Sequence, residues 1–189
     1  MTISIRLATP QDASKIAPLI YDAIGDIANR LTGETEQVKI LSTLEQLVMR
    51  EDTRHSYLYT YVAENTEGLL GIAVLYDGVQ GKKLDENHQN WLNKKLGTSP
   101  LIDVEAHDDE FYIDTICVTE AARGKGIGTQ LLQFAERIAR DQHFTKLSLN
   151  VELEKEQARN LYERLGFEIT EPWSIIDEPF HHMVKDLRT

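Results

Sequence analysis

Val118-Thr-Glu-Ala-Ala-Arg-Gly-Lys-Gly-Ile-Gly-Thr129 joins a strand-like segment, Phe111 to Val118, to a helix-like segment that begins near Gly126. Gly124, Gly126 and Gly128 remove side chains where the backbone turns into the helix, so main-chain N–H groups can close on a bulky anion. Arg123 and Lys125 add positive charge at the same place. The helix keeps Ile127, Leu131, Leu132, Ala135, Ile138 and Ala139 on one face and Gln130, Gln133, Glu136, Arg137 and Arg140 on the other. A Walker loop requires Gly-Lys followed by Ser or Thr to hold magnesium, and here Gly126 follows Lys125. A dinucleotide fingerprint spaces its glycines differently and follows a strand early in the chain. The spelling that fits is Arg-x-x-Gly-x-Gly, from Arg123 to Gly128.

That spelling resembles the pyrophosphate loop of the GNAT superfamily of acyl-CoA-dependent N-acetyltransferases. A second segment, Lys155-Glu-Gln-Ala-Arg-Asn-Leu-Tyr-Glu-Arg-Leu-Gly-Phe167, is similar to the later helix of that superfamily, which commonly ends in Leu-Tyr-Glu-x-Leu-Gly-Phe. The resemblance is specific from about Phe111 to Glu168 and rests on the order of elements elsewhere. It implies an α/β (α+β) fold: a mixed, largely antiparallel sheet of six to seven strands with helices on both faces, its central strand and neighbour splayed apart. It also implies that acetyl-CoA is the cosubstrate. Arg123, Gly124, Lys125, Gly126, Ile127, Gly128 and Thr129 would hold the diphosphate. The strand stretch Ile116, Cys117, Val118 would pair with the pantetheine arm, and Lys155 and Tyr162 would touch the cofactor from the later helix. By the same resemblance Tyr162 would protonate the departing CoA sulfur.

Length and composition agree with one soluble globular domain over 1–189. The chain has 189 residues, 41% of them hydrophobic and 27% charged. No apolar run reaches 18 residues and the start of the chain lacks a signal-peptide core, so the expectation is a cytoplasmic protein with no membrane partner. A single cysteine, Cys117, excludes an intrachain disulfide. A net charge of −11 argues against a nucleic-acid surface and leans toward a cationic acceptor. The acceptor is expected to be a small-molecule or peptide amine, and the chain a monomer or homodimer.

Outside the central segment, Ile3, Ile5 and Leu7 read as a strand, and Thr9-Pro-Gln-Asp12 as a helix start. A second helix spans about 36–49. Strands at 57–63 and 69–76 form a hairpin around Asn65-Thr-Glu-Gly68. A composition shift marks an inserted segment at about 78–109, with a helix over 85–96 and an acidic stretch behind it. Further elements are a strand at 146–151, a helix at 154–165 ending at Gly166, and last strands at 167–170 and 180–187 separated by a loop with Pro172 and Pro179.

The proton acceptor is less well marked. Period-two alternation would put Glu110, Tyr112 and Asp114 on one side of the central strand with Ile116 and Val118. The resemblance implies that a carboxylate base, where one is used, lies on this strand; the equivalent position here holds Tyr112, which leaves Asp114 or Glu110 as the expected base. The acids at 103, 105, 108, 109 and 110 either line an entrance for a cationic amine or form a solvated loop. His181 and His182 would face opposite sides, and without other nearby ligands no metal is expected. Three functions follow: an N-acetyltransferase working by direct attack in a ternary complex, a non-catalytic acyl-CoA sensor, and a nucleotide-binding module.

Overall fold

Apolar alternation in short segments, and helical periodicity between them, build one sheet with helices packed on each face. A computed structural model describes residues 2–98 and 100–188; Met1, Ser99 and Thr189, which the expected domain includes, lie outside the described residues. In chain order the elements are β1 (Ser4–Leu7), α1 (Ala13–Ile24), α2 (Ile27–Thr32), α3 (Gln37–Met49), β2 (Thr60–Asn65), β3 (Gly68–Asp77) and α4 (Gly78–Leu96). There follow β4 (Phe111–Val118), α5 (Ile127–Asp141), β5 (Lys146–Glu152), α6 (Glu156–Arg164), β6 (Glu168–Ile175) and β7 (Glu178–Asp186). The spatial order of the seven strands is β1-β2-β3-β4-β5-β7-β6. Every pairing is antiparallel except β4 with β5, which α5 connects as a crossover.

Two apolar layers hold the helices to the sheet. On one face Ile127, Leu131, Leu132 and Ala135 of α5 pack on Phe111, Ile113, Leu147, Leu149 and Val151, with Leu161 and Leu165 at the end of α6 beside them. On the other face Ile16, Ile20, Leu44 and Leu47 of α1 and α3 cover Val62, Ile72 and Cys117. Each fully buried Leu or Ile in these layers contributes about 2 kcal/mol of transfer free energy.

The structure departs from the sequence reading at several places, each with a physical reason. Helix α4 starts at Gly78 rather than at 85, with the Asp77 carboxylate capping the Gln80 N–H at 2.8 Å. Gly78 and Gly81 are close-approach positions and not breakers: a Cβ on Gly78 would lie 1.9 Å from the His107 carbonyl, and one on Gly81 would lie 2.8 Å from the Tyr76 ring. The short helix α2 was not expected. Residues 57–59 form turns, so β2 starts at Thr60.

At the far edge, Pro172 lies within β6 rather than in a loop, which an edge strand tolerates. The turn to β7 is only Ile176-Asp177, both with positive φ, and Asp103 accepts a bond from the Ile176 N–H at 2.6 Å. Alternation along β4 also fails. Val74 pairs with Thr115 and Leu75 with Ile113, so Asp114 is an extra residue, a bulge. Beyond it Ile116 joins Phe111 and Ile113 in the α5 layer instead of sharing a side with Tyr112.

The first helical turn shows how sequence fixes a junction. The Thr9 N–H donates to Asp12 Oδ2 at 2.8 Å, and the Arg6 guanidinium bridges Asp12 and Glu64, each at 2.8 Å. The Arg6 hydrogen bond holds the Asp12 carboxyl down at about 2, against an ordinary 3.8. Because the folded value is depressed, this carboxylate stabilises the fold above about 3.8 and loses that contribution as pH falls toward 2. Asp12→Asn should cost about 1 kcal/mol at pH 7 in urea unfolding, with the gap to wild type closing as pH drops through that window. A gap that does not change with pH would contradict the assignment.

Candidate active site

The parallel pairing of β4 with β5 is only three residues long: Phe111 with Leu147, Tyr112 with Ser148 and Ile113 with Leu149. At the Asp114 bulge the two strands separate. Beyond this point β4 still pairs with β3, and β5 with β7, but the edges facing one another have no ladder between them. Backbone groups on a sheet edge need partners, so this cleft suits a ligand that carries amides. Its inner end opens into a cavity of about 120 Å³ lined by Tyr112 to Ile116 of β4, Leu149 to Glu152 of β5, and Ala158 and Tyr162 of α6.

At the outer end of the cleft, the chain leaves Val118, makes a 3-10 turn at Glu120–Ala122 and enters α5 through the glycine loop. Gly124 and Gly126 have φ of +73° and +78°, a region open to glycine at little cost, and a Cβ at either position would meet nothing within 4 Å. The Gln130 N–H to Gly126 carbonyl bond, 3.1 Å, is the first rung of the helix. The amides of Ile127, Gly128 and Thr129 precede that rung and have no acceptor within the helix. Arg123 Nε donates to the Val118 carbonyl at 3.2 Å, which brings its positive charge back over the end of β4. The helix dipole adds to the same local field.

The inner end is built around Arg54, a wholly buried side chain that the sequence reading missed. Its Nε and Nη2 donate to Asp85 Oδ1 at 2.9 and 2.6 Å, its Nη1 donates to Glu105 Oε1, and the same nitrogen lies 3.4 Å from Asp114 Oδ2. Burial disfavours the charged guanidinium, but Asp85 and Glu105 outweigh it and keep Arg54 protonated. One guanidinium faces three carboxyl groups, and burial pushes two of them, Asp85 and Glu105, up.

The carboxylates differ in what they can still accept. Tyr76 and Thr115 hydroxyls donate to the two oxygens of Asp114 at 2.5 and 2.7 Å, and His55 Nε2 lies 3.3 Å from Oδ1. Burial pushes Asp114 up, yet His55 and Arg54 together hold it well below the usual carboxylate range. Burial raises Glu105, which accepts from Arg54 on one oxygen and from the Tyr112 hydroxyl, at 2.7 Å, on the other. Glu105 therefore has a lone pair to spare on each oxygen, while Asp114 accepts three hydrogen bonds, from Thr115, Tyr76 and Arg54.

His55 also lines the cavity and is fully buried, and Nδ1 has no hydrogen-bond partner in the protein. The Nε2 contact with Asp114 is close, though not aligned as a hydrogen bond. A buried imidazole nitrogen without a partner costs stability, so its presence next to a cavity points to a ligand.

Of the residues expected from sequence, Asp114, Ile116, Lys155 and Tyr162 line this cavity. The Tyr162 ring packs edge-on against Phe167, and burial raises its phenol, which keeps the proton available. Lys155 pairs with Glu152 at 3.1 Å at the start of α6. The Cys117 side chain packs with α1 and α3, so only its backbone borders the cleft, and burial pushes its thiol up. Glu110 lies outside the cavity, buried against His182 Nε2 at 3.0 Å.

The acidic stretch divides. Asp108 and Asp109 pair with Lys82 and Lys146 at the surface, Asp103 holds the β6–β7 turn, and Glu105 faces the cavity. Nothing in the sequence distinguishes Glu105 from its neighbours, because the difference arises from Arg54 across the fold.

Comparison with known proteins accords with this geometry. The sequence profile of the acetyltransferase (GNAT) family matches residues 22–167. The crystal structure of an acetyltransferase superimposes with a TM-score of 0.80 at 30% identity, covering 98% of this chain and all of that one. An N-acetyltransferase from Staphylococcus aureus Mu50 does so with a TM-score of 0.80 at 28% identity, over 96% and 99% of the two chains. A chloroplastic GCN5-related N-acetyltransferase 7 of Arabidopsis thaliana is 23% identical over 111 residues, which span 57% of this chain and only 40% of that protein. The chain belongs to the acetyltransferase (GNAT) family.

The charge cluster makes a direct prediction. Arg54→Met removes the one cation that three buried carboxylates share, and should destabilise the fold by about 3–5 kcal/mol at neutral pH. A loss below about 1 kcal/mol in chemical denaturation would show that the cluster is solvated rather than buried.

Proposed function

We propose that this family member transfers an acetyl group from acetyl-CoA to a primary amine by direct attack in a ternary complex. The observation that carries the reading is a single cleft with an amide-rich loop at one end and a proton donor, an unpartnered imidazole and carboxylates at the other. Acetyl-CoA would supply a thioester with an electrophilic carbonyl carbon. The loop from Arg123 to Thr129 would bind its diphosphate, largely through main-chain N–H groups. The free edge from Asp114 to Val118 would pair with the pantetheine amides, and Lys155 would add a cation at the start of α6. That the Staphylococcus aureus neighbour is an N-acetyltransferase supports nitrogen as the acceptor.

An ammonium has no lone pair, so the acceptor must lose a proton before it attacks. His55 takes that proton on Nδ1 in this reading, with the Asp114 carboxylate 3.3 Å from Nε2 balancing the charge that develops. Asp114 thus acts on the base through its charge, and Glu110, outside the cavity, takes no part. Glu105 receives the remaining N–H groups of the acceptor. As the nitrogen–carbon bond forms and the carbon–sulfur bond breaks, Tyr162 gives its proton to the sulfur, and the second proton lost by the nitrogen as the amide forms restores the phenol. The buried, neutral phenol supports that role.

Turnover separates this reading from an acyl-CoA sensor. Tyr162→Phe should lower kcat about 100-fold with cofactor affinity unchanged. His55→Ala should lose a similar factor with amine, and added imidazole should restore part of it. No thiol release across a panel of amines would favour the sensor, and full activity in Tyr162→Phe would remove that residue from the mechanism. Gly126→Val should abolish CoA binding in calorimetry while the fold survives, since the left-handed backbone there costs an L-residue about 1–2 kcal/mol.

A further inference from the structure

A second cluster of chemistry-bearing side chains lies at the opposite end of β4, outside the cavity just described. Single ligand atoms from His107, Glu171 and His182 all lie within 4.8 Å of one another, and His107 Nε2 is 2.6 Å from Glu171 Oε1. They come from three separate elements: the segment before β4, edge strand β6, and β7. The meeting depends on an irregularity. Ile169 pairs with Met183 but Glu171 pairs with His182, so Thr170 is an extra residue that shifts Glu171 into register with His182 rather than His181.

The rings are fixed by their surroundings. His182 is fully buried, with Trp173 stacked on it at 4.6 Å and the same indole edge-on to His107 at 5.0 Å. His182 Nδ1 lies 2.7 Å from Asn150 Oδ1. The Asn150 Nδ2 donates to the Glu105 carbonyl at 2.8 Å, which identifies Oδ1 as the amide oxygen and places a hydrogen on Nδ1. Nε2, 3.0 Å from the Glu110 carboxylate, donates to it, and a metal would take the place of that proton. An imidazole whose second nitrogen donates to a fixed oxygen is the usual arrangement of a metal ligand. Two imidazoles and one carboxylate form a donor set that suits zinc and not magnesium or calcium.

We propose that His107, Glu171 and His182 bind one zinc ion, with Asn150 as the outer partner that holds the His182 ring. The ion would tie the β6–β7 hairpin to the segment that carries Glu105. Other bonds already link those two parts: Trp173 Nε1 donates to the Val104 carbonyl at 2.9 Å, and the Ile176 N–H donates to Asp103. The site does not depend on acyl transfer, and its test does not use turnover.

The test is zinc titration by calorimetry of the full chain, tag removed and stripped with chelator, with cobalt absorption as a spectroscopic check. Wild type should bind one equivalent and gain thermal stability on binding. His182 is buried and its loss threatens folding, so the partly exposed His107 and Glu171 carry the comparison. His107→Ala and Glu171→Gln should each weaken zinc affinity about tenfold or more and lose the thermal shift, while CoA affinity stays unchanged. The proposal is overturned if wild type shows no saturable binding, leaving His182 simply paired with Glu110. It is overturned equally if His107→Ala binds zinc as wild type does, which would place the metal on other histidines.

Discussion

The parting of β4 from β5 after Ile113 and Leu149 is the constraint from which the rest of the structure follows. Two parallel strands that share a crossover helix ordinarily pair along their length. Here one extra residue, Asp114, breaks the register, and buried partners hold its side chain in place: Tyr76, Thr115 and Arg54. The unpaired edges, the cavity between them and the position of the glycine loop at the mouth are consequences of that break.

Holding the break in place requires an arrangement that folding alone does not favour. Arg54 is withdrawn from water, and three carboxylates from α4, the segment before β4 and β4 itself converge on it. Such clusters rarely stabilise a fold more than apolar packing of the same volume. What this one supplies is position: it fixes the bulge, leaves Glu105 with lone pairs facing the cavity and sets Asp114 behind His55. The unpartnered His55 nitrogen is the residual cost, and it is located where a ligand can offset it.

The parts of this design that rest on local chemistry were legible in the sequence. The β4 limits, the α5 stripe and the glycine turn that leads into α5 follow from residue type and spacing alone. So did the hairpin around Asn65, whose side chain accepts from the Glu67 and Gly68 amides. The parts that rest on distant contacts were not legible. Gly78 and Gly81 look like helix breakers until the His107 carbonyl and Tyr76 ring are seen against them. Arg54 and His55 sit in an unremarkable polar turn, and only the approach of Asp85, Glu105 and Asp114 makes them part of the site. The bulges at Asp114 and Thr170 leave no mark on residue type, yet each moves a carboxylate to a different partner.

Amide hydrogen exchange with and without CoA tests the central claim most directly, because it reports which backbone groups gain partners. The account predicts slower exchange at Gly124 to Thr129 and along the free edge of β4 from Asp114 to Val118, with β1 and the outer edge of β6 unchanged. Protection confined to other elements, with those amides exchanging as fast as before, would contradict it.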